Sequence, residues 1–315
     1  MPVNTFGMTF GLAGLALLWN SVHKLVRPVG PLVVASALLA LVVWLVVLTG
    51  YLLKALRCPT AVRAELTGEV PGPFAALAPI TGMALGSVLY QWVPRLGWWM
   101  VVLGAVGTLL YGGWLAGEWI VKPLRLEQIH PGYFLPTVAG GLVACSALHT
   151  VGLTSASYLG FGIGVVCWFV IGSVVLNRLF VGPELPAALV PLLAIEVAPP
   201  AVAGNAWFAI RSGPPDPVQL ALAGYTLLMV IVQLRLIPRY RRVRFQPSFW
   251  AFAFSYTSVA LYGARWLVLT DPPGAVPMAW TLVVGVSVFV GWVGWRTVRE
   301  LVAGRYFPPP VRTHD

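Results

Sequence analysis

Ten apolar runs, most of them long enough to cross a membrane, succeed one another along the chain. They lie near 5–22, 31–53, 73–92, 96–117, 132–151, 156–180, 186–210, 217–237, 247–270 and 277–302. A helix rises about 1.5 Å per residue, so roughly 20 apolar residues span the hydrocarbon core of a bilayer. No polar stretch between the runs much exceeds about 20 residues, which leaves no room for a sizeable soluble domain. Charged residues make up 10% of the chain, against roughly 25% in soluble domains. The 33 Gly and 27 Pro lie among Leu, Val and Trp rather than among Ser, Gln and Glu, which excludes disorder. The chain is therefore expected to be an all-α integral membrane protein, a single transmembrane domain over 1–315. The first run is expected to be a span and not a signal peptide, since no Lys or Arg precedes it and no small-residue cleavage site follows.

Ten spans put both termini on one side and sort the 20 Lys and Arg residues. Fifteen fall with the termini, from Lys54, Arg57 and Arg63 through the run Arg235–Arg244 to Arg305 and Arg312. The opposite side holds five: Lys24, Arg27, Arg95, Arg211 and Arg265. By the positive-inside rule both termini are expected to be cytoplasmic, in a multi-pass protein of the cytoplasmic (inner) membrane. This asymmetry accounts for the formal charge of +10 without nucleic acid. The RLIPRYRRVR run at 235–244 reads as a topology anchor, with contact to anionic membrane lipid a secondary role.

Proline divides the runs into two classes. The second, fourth, sixth, eighth and tenth have no interior proline, whereas the third, fifth and seventh carry Pro79, Pro136, and Pro191, Pro199 and Pro200. Proline frees a backbone carbonyl and bends a helix. Hydrocarbon offers that carbonyl no partner, so broken helices belong against protein or a wet cavity. The odd-numbered runs are thus expected to form an inner ring kinked at Pro79, Pro136 and Pro199, and the even-numbered runs an outer, lipid-facing ring. Alternation of this kind points to a pore or substrate path.

The stretches LAPITG (77–82), HPGYFLPTVA (130–139), EVAPPAVA (196–203), LRLIP (234–238) and WAFAFS (250–255) resemble corresponding helices of the tellurite-resistance protein A and dicarboxylate transporter family. That family also takes in fungal malate and sulfite permeases and the plant guard-cell slow anion channel. The similarity runs in order from FGMTFGLAGLALLW at 6–19 through the tenth run. It implies ten transmembrane helices as five helical hairpins in quasi-fivefold arrangement around a central pore, with odd helices lining it and three subunits forming a homotrimer. It also implies that Phe254 is the aromatic that occludes the pore, with Phe252 on another face. A ring in a narrow apolar tube excludes water and raises a dehydration barrier to ions. In the first run a family proline is replaced by Thr9, so that helix is expected to bend at Gly7 and Gly11 instead.

Glu196 is the one acidic residue well inside a run. An intramembrane carboxylate is a functional candidate by default. It either titrates as an anion passes, coupling transport to protons, or hydrogen-bonds a carbonyl freed by the proline kink or pairs with an Arg of another helix. Arg265, in the outer half of the ninth run, is the only strongly basic residue within the odd runs. Selectivity is therefore expected to rest on the arginine-rich cytoplasmic face and on frayed helix ends.

HExxH, GxSxG and P-loop patterns are absent, and the three Cys form no paired spacing. His23, His130 and His314 fall in loops or the tail and His149 at a helix end; GFGIG at 160–164 lies within an apolar helix and serves close packing. No enzyme activity, cofactor or metal is expected. The reading is an anion channel or transporter passing small anions, whether inorganic anions, dicarboxylates such as malate, or oxyanions, through a phenylalanine-gated pore. A proton-coupled exporter of dicarboxylate, sulfite or tellurite is the alternative, and an intramembrane enzyme or scaffold is a second of another class.

Overall fold

The computed structural model describes residues 1–26, 29–122, 124–211 and 213–307. Arg27, Arg312 and His314 lie outside them. The described residues are helical, with no strand among them. Nine of their helical stretches are long and apolar enough to cross a membrane. We label the main helices α1 (Phe6–Val22), α2 (Gly30–Arg57), α3 (Leu77–Leu89), α4 (Pro94–Val121), α5 (Gly140–Thr150), α6 (Thr154–Val181), α7 (Ala198–Ile210), α8 (Pro217–Tyr240), α9 (Trp250–Thr270) and α10 (Ala275–Val302). The nine stretches include every one of these except α9. That helix carries Ser255, Tyr256, Thr257, Ser258 and Arg265, which lower its hydropathy, and it tolerates them because more than half of its residues are buried in protein.

Burial alternates along the chain. The stretches containing α1, α3, α5 and α7 are 72–89% buried, whereas those of α2, α4, α6, α8 and α10 are 17–28% buried. α1 packs on α3, α3 on α5, α5 on α7, α7 on α9, and α9 back on α1, closing a ring. Most outer helices bridge two successive members of it, as α4 does over α3 and α5 and α6 over α5 and α7. α8 packs on α7 and its lead-in, and a groove of 850 Å³ opens between α8, α9 and α10. The GFGIG stretch sits on α6 where helices nearly touch. A Cβ on Gly164 would stand 2.6 Å from Leu142 Cγ of α5.

The inner helices are composite. α3 follows a short turn of helix at Gly72–Ala75. α5 follows a 3₁₀ segment, Pro131–Phe134, and a π turn, Leu135–Ala139. α7 follows a 3₁₀ segment, Val190–Val197. Pro79 and Pro199 therefore sit in the first turn of an α-helix, and Pro136 in the π turn; Pro136 and Pro199 lie at changes of helix type, and Pro79 follows a break between two α-helical segments, none of them in mid-helix. At a helix start the missing N–H costs little. Two other expectations need correction. α8 runs on through Pro238 in its last turn, so an even-numbered helix does contain proline. α1 is one unbroken α-helix despite Gly7 and Gly11; Gly11 instead admits α9, since a Cβ there would lie 2.8 Å from that of Ala253.

Irregular backbone leaves carbonyls without helical partners, and the outer helices supply donors to it. Tyr111 of α4 donates to the Gly72 carbonyl at 2.8 Å, and Trp44 of α2 to that of Ala78 at 2.9 Å. Buried Arg178 of α6 donates to the Pro183 carbonyl at 2.5 Å. Gln233 of α8, also buried, donates to Leu193 in the 3₁₀ lead-in of α7 at 3.0 Å and accepts from the Tyr240 hydroxyl at 2.8 Å. Replacing Gln233 by Leu strands both partners. An orphaned buried polar group costs about 1–3 kcal/mol. Thermal unfolding in detergent should show a destabilisation of that order for Gln233→Leu. Leu228→Ala, on the exposed face of the same helix, should stay within about 0.5 kcal/mol of the parent.

Candidate functional site

The interior of the ring is built first by small residues. A Cβ on Gly14 of α1 would lie 2.4 Å from Thr257 Oγ1 of α9, so only glycine allows the two helices this separation. Close approach brings Phe10 of α1 against Phe254 of α9, their rings stacked with centroids 3.7 Å apart and planes inclined at 18°. The Thr257 and Ser258 hydroxyls both donate to the Phe254 carbonyl, at 2.8 and 2.9 Å. These bonds tie up polar groups that would otherwise be orphaned among apolar side chains. Thr9, at the position where the first run departs from the family pattern, donates to the Phe6 carbonyl at 2.8 Å and lies 3.2 Å from Thr81 Oγ1 of α3.

The ring pair stands between two cavities. On the side of the N-terminal ends of α1 and α9 lies one of 210 Å³, whose lining includes Asn4, Phe74, Leu192, Gln246, Phe10 and Phe254. Toward the C-terminal ends lies one of 50 Å³, whose lining includes Ser146, Asn205, Ser258, Arg265 and the same two rings. A niche of 10 Å³ beside Phe254 is bordered by Leu142, Ile195 and Pro199. Phe254 borders all three spaces. Phe252 turns the other way, into an aromatic cluster with ring centroids 4.7 Å from Tyr240 and 5.4 Å from Phe249, against the outer groove.

Of Pro79, Pro136, Pro199 and Glu196, only Pro199 reaches these spaces. Pro79 and Pro136 pack against α4, where a Cβ on Gly104 would stand 2.7 Å from the Pro79 carbonyl oxygen and one on Gly112 3.1 Å from that of Pro136. Glu196 does not line either cavity. Its Oε1 is buried with no hydrogen-bond partner among the described residues. No group of three His, Cys, Asp or Glu that could hold a metal occurs among the described residues.

Residues 1–298 match the family model of the voltage-dependent anion channels. The chain belongs to that family. It is 29% identical to the tellurite resistance protein TehA homolog of Haemophilus influenzae over 98% of its own length and 93% of that protein's. It is 26% identical to the guard cell S-type anion channel SLAC1 of Arabidopsis thaliana over 94% of this chain and 57% of that one. With the S-type anion channel SLAH3 of the same plant the figures are 26%, 84% and 43%. The chain thus spans nearly all of the bacterial relative and about half of the plant channels. As a voltage-dependent anion channel family member it is a multi-pass membrane anion channel or transporter, a class distinct from enzymes.

Of the site of this family member, Phe254 was reached through the resemblance of WAFAFS. Phe10 was not. The sequence holds 14 Phe, and nothing in FGMTFG separates Phe10 from Phe6 until α1 is set against α9.

Proposed function

We propose that this protein is a passive anion channel of the cytoplasmic membrane in which the Phe254 ring, backed by Phe10, closes a path through the inner helices. The observation that carries the reading is that one side chain borders the cavity at each end of the ring, with an aromatic partner stacked on it at 3.7 Å. An anion must shed water to pass such a constriction, and apolar rings return none of that hydration energy, so the closed barrier is high. Rotation of Phe254 off Phe10 joins the cavities. The charge asymmetry supports cytoplasmic termini. The resemblance to the family supports a quasi-fivefold pore in each subunit of a homotrimer, and an anion drawn from inorganic anions, dicarboxylates and oxyanions.

Phe254→Ala tests the gate. Truncating a packed core Phe costs about 3–5 kcal/mol, but a ring with space on both sides loses fewer contacts. The expected result in liposomes is a large rise in basal anion conductance with near-parental thermal stability. Phe252→Ala, inside its aromatic cluster, should melt early and leave conductance at the parental level. Early melting of Phe254→Ala without added conductance would make the ring core rather than gate.

A proton-coupled exporter of dicarboxylate, sulfite or tellurite needs a titrating group on the path, and Glu196 stands off the cavities. Glu196→Gln should therefore conduct with the parental pH profile. A flattened profile in that variant would favour the coupled reading instead.

A further inference from the structure

Beyond the ring pair, the 50 Å³ cavity is lined by a cation. Arg265 follows Phe254 on α9 by three helical turns of about 3.6 residues each, so it projects from the same face. Its Nη1 donates to the main-chain carbonyl of Asn205 on α7. Among the described residues it has no carboxylate partner, since every ion pair there joins other side chains. A guanidinium carries five N–H donors, and one of them is engaged. Desolvating a cation without a counter-charge is expensive, and an anion in the cavity would offset that cost.

No other group of the cavity lining is a cation, and most of its polar groups are already bonded. The hydroxyl protons of Thr257 and Ser258 are committed to the Phe254 carbonyl, and that of Ser87 to the Ala84 carbonyl. The Asn205 amide nitrogen donates to the Ser258 carbonyl at 3.1 Å. Arg265 thus supplies the positive charge at this level, beside the uncommitted hydroxyl of Ser146. On the same side of the protein the acidic residues are Asp216 and Asp271. The Asp216 carboxyl already accepts from the Trp207 indole at 2.9 Å and the Gln219 amide at 3.0 Å.

We propose that Arg265 and the cavity it lines form a binding subsite for one small inorganic anion of the chloride or nitrate class, directly beyond the ring pair. The proposal rests on the gated-conduit reading above. The space suits a small ligand: about 10–15 Å³ of such volume holds one water, so 50 Å³ takes one small anion together with part of its hydration shell. An anion that has lost hydration at the rings regains stabilisation from the guanidinium within the same passage. A single such site gives conductance that saturates with anion concentration, because occupancy must be favourable enough for capture and weak enough for release.

Two measurements on the full chain test this. Crystals of the parent protein soaked in bromide should give an anomalous peak beside the Arg265 guanidinium. No peak there overturns the subsite, whatever the conductance does. In the Phe254→Ala background, adding Arg265→Gln should raise the half-saturating chloride concentration at least about tenfold, and adding Arg265→Lys, which keeps the charge, should restore most of it. A folded Gln variant with an unchanged half-saturating concentration overturns the proposal too. Should the Gln variant fail to fold, the bromide peak in the parent decides. Should Phe254→Ala itself fail to conduct, the gate reading falls while the bromide experiment still decides the subsite.

Discussion

Hydrocarbon offers no hydrogen bond to a backbone amide or carbonyl, and the rest of this structure follows from that constraint. The outer helices α2, α4, α6 and α10, 28 residues each, and α8, 24 residues, satisfy their backbones internally and can face lipid. The 3₁₀ and π segments that lead into α5 and α7 cannot, and they lie in the buried inner ring. Polar side chains reaching inward from the outer helices, Tyr111 and Gln233 among them, complete the bonds that the broken segments lack.

The same division creates the site. Inner helices need no lipid-compatible surface, so α1 can afford Gly11 and Gly14 where α9 presses on it, and α9 can carry Thr, Ser and Arg. Close helix contact and polar side chains then meet around one apolar obstruction. Phe10 on Phe254 presents rings that bind an ion poorly, with space on each side and a guanidinium beyond. In the gate we propose, opening needs only a side-chain rotation, a motion that leaves the surrounding backbone hydrogen bonds intact.

Much of the fold was legible in the sequence, because hydrophobic length and proline placement report the solvent that each helix meets. Pro79, Pro136 and Pro199 lie on buried helices, although they stand at helix starts or at a change of helix type and not at mid-helix bends. Pro238 shows the limit of the rule, since the last turn of a lipid-facing helix tolerates proline. The site was less legible. Phe254 was reachable through a family resemblance, but its partner Phe10 depends on which faces of α1 and α9 meet, and no local pattern encodes that. Glu196 read as a path residue because it lies on an inner segment. Its place off the cavities goes with the 3₁₀ geometry of Val190–Val197, which does not follow the period of an α-helix.

The central claim is that the ring pair is the barrier separating the two cavities, and one-sided thiol labelling tests it most directly. Ala251 lines the larger cavity and Ser258 the smaller, so each can report on access from the side of the termini. In a background lacking Cys58, Cys145 and Cys167, a charged, membrane-impermeant thiol reagent applied from that side should modify Ala251→Cys but not Ser258→Cys. With Phe254→Ala added, both should react. Modification of Ser258→Cys from that side while Phe254 is intact would contradict the account.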